Sequence, residues 1–202
     1  MSSPPVSSAE LRPRARVGAW LFRNRSWLPV PFLIVTLVAP SRFSGKAWIG
    51  GLVLVAIGES IRLAGVAAAG TVTRRRSRDV ERLVTYGIFA WVRNPLYVGN
   101  FFIWVGFVLI SGVFWFLPIA ILIFAIEYAL IVSYEEGVLE STFGRAYLDY
   151  KQLTPRWLPR PPRRASSGPH RWGEAWRSEI STFAQYGALL GVYGVKQRLW
   201  WA

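Results

Sequence analysis

Apolar residues run in long blocks along this chain, and short basic stretches rather than alternating polar faces separate the blocks. A bilayer core of roughly 30 Å takes about 20 helical residues, and four blocks approach that length. Trp27 to Pro40 is a short first candidate span, extended on its N-terminal side by Trp20, Leu21 and Phe22. Ala47 to Ala69 is long enough by itself. Leu96 to Ile110 and Val113 to Ser133 are separated only by Ser111 and Gly112, which predicts a tight helical hairpin with an uncharged turn. Ile180 to Val195 is a fifth candidate. Trp176, Trp200 and Trp201 flank it as an aromatic belt, and Gly187 and Gly191 have the small-xxx-small spacing that lets helices approach. An amphipathic helix on the membrane surface would carry the same residues. The pattern predicts an all-α fold, a polytopic membrane helix bundle of about four to five transmembrane helices.

Composition supports this picture. At 52% hydrophobic and 15% aromatic, the 202 residues are more apolar than an ordinary soluble domain. The formal charge of +13 would suit nucleic acid, anionic lipid or the cytoplasmic ends of membrane helices. Position favours the last, because the arginines cluster between apolar blocks. Nucleic acid is not expected as a partner, and membrane lipids are. Arg12, Arg14, Arg16, Arg23 and Arg25 precede the first span, and Arg74, Arg75, Arg76, Arg78, Arg82 and Arg93 lie between the second and third. Together they outweigh Arg42 and Lys46 in the first connection. The positive-inside rule then makes the N-terminus, the second connection and the segment after Ser133 cytoplasmic. The basic start ahead of a short apolar run has no clean small-residue cleavage site, so it is expected to persist as a first helix. Four regions follow: a basic cytoplasmic segment (1–26), a membrane core (27–158), a Pro/Arg-rich linker (159–171) and a C-terminal helix (172–202) that is a fifth candidate span. With no cysteine, thiolate metal sites and cysteine nucleophiles are excluded. The lone His170 sits in a Pro/Arg/Ser-rich stretch and reads as a solvated loop residue, so no metal is expected.

Three charges interrupt the apolar blocks. Glu59 and Arg62 are three apart in the second span and face the same side. A charge at the bilayer centre costs several kcal/mol on insertion scales, so the pair is a functional candidate, with a structural ion pair between helices as the alternative. Glu127 in the fourth span has no obvious local partner.

The strongest signals flank the predicted hairpin. Before it stand Thr85, Gly87 and Phe89, then Arg93-Asn94-Pro95-Leu96-Tyr97-Val98-Gly99; after it stand Glu135-Glu136-Gly137-Val138-Leu139, Phe143-Gly144-Arg145-Ala146-Tyr147-Leu148-Asp149-Tyr150 and Pro155-Arg156-Trp157-Leu158-Pro159. Pro95 suits a first helical position and Asn94 a cap, so the third span begins at a helix N-terminus able to receive an anion. Gly99 would let a flat ligand approach the backbone, although an ordinary capped membrane helix would look the same. Glu136, Leu139, Phe143, Tyr147 and Tyr150 recur at spacings of three and four, predicting one stripe on a helix outside the fourth span. Adjacent Glu135 and Glu136 point about 100° apart on a helix and so serve different partners, one of them an arginine such as Arg93.

These blocks resemble the isoprenylcysteine carboxyl methyltransferase family and its bacterial relatives, which include phospholipid N-methyltransferases. The similarity covers roughly Glu59 to Pro159: an Arg-His-Pro-x-Tyr-x-Gly block, a hairpin, then Glu-Glu-x-x-Leu, Phe-Gly-x-x-Tyr-x-x-Tyr and a closing proline. Asn94 stands where histidine is commoner, and Ile131 where members often place an acceptor-binding arginine. The resemblance implies a cytoplasmic C-terminal helix region binding S-adenosyl-L-methionine through Thr85, Gly87, Asn94, Pro95, Tyr97, Gly99, Glu135, Glu136, Tyr147 and Tyr150. It implies a lipophilic or lipid-modified acceptor and a multi-pass protein of a bacterial inner membrane with a cytoplasmic active site. Carboxyl O-methylation stands first and phospholipid or amine N-methylation second. The catalytic candidates are Arg93 and Arg156, as substitutes for the missing arginine, and Glu127, as proton acceptor for an amine. Replacing Glu136 by glutamine is expected to weaken cofactor binding and leave folding intact, since a residue at the water edge is easily resolvated. The rival from another class is a small transport or signalling subunit with Glu59, Arg62 and Glu127 as its polar path.

Overall fold

A computed structural model describes residues 13–70, 82–162 and 167–201. Arg12, Arg74, Arg75, Arg76 and Arg78, which carry much of the orientation signal, lie outside the described residues. The described chain is all-helical: α1 (Pro13–Asn24), α2 (Pro29–Val38), α3 (Gly45–Ala69), α4 (Pro95–Ser111), α5 (Leu117–Phe143), α6 (Arg145–Leu153) and α7 (Trp172–Trp201), with 3-10 turns at Gly87–Ala90 and Phe114–Phe116.

Two stretches are long and apolar enough to cross a membrane, Gly45–Ala69 and Phe114–Phe143. The apolar helices Pro29–Val38 and Pro95–Ser111 are shorter. The expected first span is not one helix. Asn24 accepts the Trp27 amide at 2.8 Å in a turn, and Pro29 and Pro31 remove amide donors where a continuing helix would need them. The chain therefore restarts as the ten-residue α2. The preceding basic segment contributes α1, which lies on α5; a methyl group at Gly18 would stand 2.6 Å from the Leu130 carbonyl oxygen.

The predicted short connection between Ser111 and the next helix is present. Gly112 adopts φ +73° against the backbone of Arg42, a conformation that favours glycine. The tightest helix pair, however, is antiparallel α3 and α4. Gly51 faces Gly106 and Gly58 faces Gly99, and a Cβ on any of the four would come within 2.5–2.7 Å of the opposing carbonyl oxygen. Each pair is about two helical turns from the other, so the backbones meet along a seam. Gly99 accordingly faces α3, with the Gly58 carbonyl and Arg62 where a ligand was expected. In α7, the predicted packing glycines Gly187 and Gly191 have nothing within 4 Å of their would-be side chains. α7 docks through polar groups and aromatic rings instead.

The main core lies among α2, α4, α5 and α7, where Phe32, Trp104, Phe107, Phe116, Phe124 and Tyr193 are buried together. The predicted stripe from Glu136 to Tyr150 is divided between two helices. α5 continues unbroken past Ser133 to Phe143, Gly144 turns at φ +52°, and Tyr147 and Tyr150 follow on α6.

Candidate active site

The segment before α4 and the C-terminal part of α5 meet in space. Glu136 joins them: it is 3% exposed, 3.0 Å from the Arg93 guanidinium, and bonded to Arg156 through both carboxylate oxygens. Arg93 also donates to the carbonyls of Lys151 at 3.0 Å and Thr154 at 2.8 Å, fastening the end of α6. Asn94 occupies the N-cap position of α4, yet its side chain makes no capping bond. It turns instead to the Arg156 carbonyl at 3.2 Å and towards Glu136 at 3.5 Å. One of the two glutamates is expected to pair with an arginine such as Arg93, and Glu136 is the one that does, within a three-residue clamp that occupies both arginines.

The neighbouring Glu135 looks the other way, as a residue about 100° around the helix must. The Tyr97 hydroxyl donates to it at 2.9 Å. Tyr147 and Tyr150 are buried behind this group, and the Tyr150 hydroxyl donates to the Phe89 carbonyl at 2.7 Å. Burial pushes both phenols above the usual tyrosine range, so they remain neutral donors at any ordinary pH.

A cavity of about 1110 Å³ opens from this polar corner into the bundle. Of the sequence-predicted site residues, Arg93, Asn94, Pro95, Tyr97, Glu135, Tyr147 and Tyr150 line it. Thr85, Gly87, Gly99, Glu127, Glu136 and Arg156 are not among its lining residues. A Cβ on Gly87 would strike His170, which is exposed and stacks on Trp172. Glu127 is half-buried on α5, and one of its carboxylate oxygens has no hydrogen-bond partner. It stands on a face of α5 outside the cavity lining, a placement that periodicity alone does not specify.

The cavity also gathers residues no motif announced. Arg25 enters from the turn between α1 and α2, and Arg62 and Asn100 form the wall midway. Arg62 lies 3.4 Å from Glu59, as the three-residue spacing suggested, and also 3.3 Å from the fully buried Glu179 of α7. It donates to the Asn100 side chain, whose amide reaches the Tyr128 hydroxyl at 3.4 Å. Among the described residues no salt bridge joins Glu127 to Arg62.

A helical bundle with two membrane-length apolar helices and a cavity lined by both charged and hydrocarbon side chains fits a membrane-associated protein. Comparison with known proteins points to a family: residues 47–146 match the phospholipid methyltransferase family. The chain is 36% identical to mouse protein-S-isoprenylcysteine O-methyltransferase over 121 residues, covering 54% of this chain and 40% of that protein. It is 33% identical to protein-S-isoprenylcysteine O-methyltransferase B of Arabidopsis thaliana over 123 residues, covering 55% and 60% respectively. With the Xenopus laevis protein-S-isoprenylcysteine O-methyltransferase it shares 30% over 144 residues, 66% of this chain and 48% of the other. The chain thus spans about half the length of the curated relatives it matches. No solved structure matches it.

Proposed function

We propose that this protein is an integral membrane methyltransferase that moves a methyl group from S-adenosyl-L-methionine to a lipophilic acceptor. One observation carries the reading: Tyr97, Glu135 and Tyr147, from separate motif blocks, line the same cavity as the hydrocarbon wall of α2, α4 and α7. A water-soluble cationic donor and an apolar acceptor would there share one space.

The lining fits the donor's chemistry. Glu135 offers a carboxylate to an ammonium or to ribose hydroxyls, and Tyr97, Tyr134 and Tyr147 present aromatic faces of the kind that attract a cation. Glu136, committed to Arg93 and Arg156, positions the segment that bears Asn94 and Tyr97 and does not touch the donor itself. The donor supplies an electrophilic methyl on a positively charged sulfur. When bound, that donor would give its methyl carbon to the acceptor's lone pair, with the electron pair of the broken carbon–sulfur bond remaining on sulfur. This chain's residues need only align the partners and keep water out.

Carboxyl O-methylation follows the names of the relatives and needs no base. An amine acceptor is the second reading, and one contact favours it: Arg62, on the cavity wall, already faces both Glu59 and Glu179, so the wall there offers no surplus positive charge to a carboxylate. Base treatment of the radiolabelled product separates the two, because a methyl ester releases volatile methanol and an N-methyl group does not. The multi-pass arrangement with its active site at the cytoplasmic face of a bacterial inner membrane belongs to the same proposal, supported by the arginine clusters and the two membrane-length helices.

Titration calorimetry of the purified protein with S-adenosylhomocysteine tests the core of the reading. Saturable binding is expected, and Tyr97→Phe is expected to weaken it by about three- to tenfold, corresponding to one lost hydrogen bond of roughly 1 kcal/mol at the orientation of Glu135. A folded wild-type protein with no binding rejects the enzyme reading.

A further inference from the structure

The apolar arm of the cavity runs between two helices that both lie outside the family-matched region, α2 and α7. Leu33 and Leu37 form one side and Leu189 and Val192 the other, over Trp104 and Phe107 of α4. Val192 lines the arm at its far end and is 50% exposed.

α7 is held at both ends of this arm. Towards the motif residues, Glu179 faces Arg62 and the Tyr186 hydroxyl donates to Glu59 at 3.2 Å. At the far end the Tyr193 and Thr36 hydroxyls share a 2.7 Å hydrogen bond, and the Lys196 ammonium donates to the Thr36 carbonyl at 2.7 Å. Gln197 there donates to the Ile110 carbonyl and accepts from the Trp48 indole, both at 2.7 Å. Burying an ammonium and an amide is costly unless they are bonded, so these contacts lock the two helices together and end the arm. From Thr182 to Val192, the first and last α7 residues lining the cavity, the helix rises about 15 Å at 1.5 Å per residue, a length suited to one extended hydrocarbon chain. Volume points the same way: a drug-sized ligand occupies a pocket of roughly 300–1,000 Å³, so a cavity of about 1110 Å³ that also receives a nucleoside donor leaves space for about one tail.

We propose that α7 is the acceptor-selecting wall: the α2–α7 arm takes the tail of a single-chain amphiphile, and Leu189 with the Thr36–Tyr193–Lys196 lock sets the longest tail admitted. The proposal rests on the methyltransferase reading only for the word acceptor, since tail binding can be measured without turnover.

The experiment uses the full chain in bicelles with saturating S-adenosylhomocysteine and photoreactive fatty acids bearing a terminal diazirine on a short, medium or long saturated chain. Labelled residues are located by mass spectrometry. The long probe is expected to label α2 and α7 near Leu37 and Val192. Leu189→Trp fills the arm and is expected to cut long-probe labelling there by at least about tenfold, within the range that small changes of fit produce in apolar pockets. Short-probe labelling and S-adenosylhomocysteine affinity should stay unchanged. Leu189→Ala, which removes bulk, should instead raise long-probe labelling, and it serves if the tryptophan variant fails to fold. Equal long-probe labelling in the wild type and a folded Leu189 variant overturns the proposal, as does labelling confined to the outer faces of α3 and α5. Chain-length-dependent labelling of α7 without any S-adenosylhomocysteine binding would retain the tail site and reject the methyltransferase reading.

Discussion

Glu136→Gln is expected to unfold or loosen the motif corner as well as to abolish donor binding, a stronger effect than the sequence suggested. The sequence places Glu136 just beyond an apolar helix, where water would replace its partners and the substitution would spare the fold. In the structure Glu136 is 3% exposed and neutralises Arg93, itself 10% exposed in its side chain, together with Arg156. Glutamine keeps the shape and removes the charge, leaving two guanidiniums beside each other and one of them buried. Breaking a buried pair from one side costs about 3–5 kcal/mol; because Arg156 is 38% exposed, the lower end of that range is expected. Thermal unfolding in detergent and S-adenosylhomocysteine titration on the same preparation provide the check. A variant with unchanged midpoint and unchanged affinity would remove Glu136 from the architecture of the site.

The second large effect is expected at the α3–α4 seam. Gly99→Ala places a methyl group 2.6 Å from the Gly58 carbonyl oxygen and 2.7 Å from the Arg62 Cγ, and a helix backbone cannot retreat as a flexible side chain does. Overpacking of this kind costs about 1–3 kcal/mol. Because α4 carries both Tyr97 at its start and Trp104 and Phe107 along the apolar arm, donor affinity should fall with stability. Gly187→Ala and Gly191→Ala are the controls. Both positions are helical with open space around them, so alanine's higher helix propensity, about 1 kcal/mol over glycine, should leave the unfolding midpoint unchanged or slightly raised. Destabilisation by the α7 substitutions and tolerance at Gly99 would reverse the assignment of which glycines bring helices together.

Much of the candidate site is legible in the chain because its motifs are local. Asn94-Pro95 at a helix start and the paired Glu135-Glu136 at the end of an apolar helix can be read from spacing, and so can the divergent directions of the two carboxylates, about 100° apart. Arg62 and Glu59 are legible as a pair for the same reason, being one helical turn apart. Glu179 is not, since it joins them across more than a hundred residues. Nor does any spacing reveal that Arg93 and Arg156 are both committed to one carboxylate, or that Asn94 leaves its helix uncapped to reach a neighbouring segment.

From the sequence alone come the all-helical class, the apolar blocks, the residues of the motif blocks and the family they resemble, all properties of near neighbours along the chain; that two of the helices combine membrane length with apolarity is seen in the structure. Only the tertiary structure decides which glycines touch another backbone, that the first apolar block breaks into α1 and α2, and that α7 closes the hydrocarbon arm. The division has a physical cause. Helix periodicity and hydropathy are determined within a few turns, whereas the partner of a buried charge or a bare glycine backbone depends on which faces meet when separate helices pack.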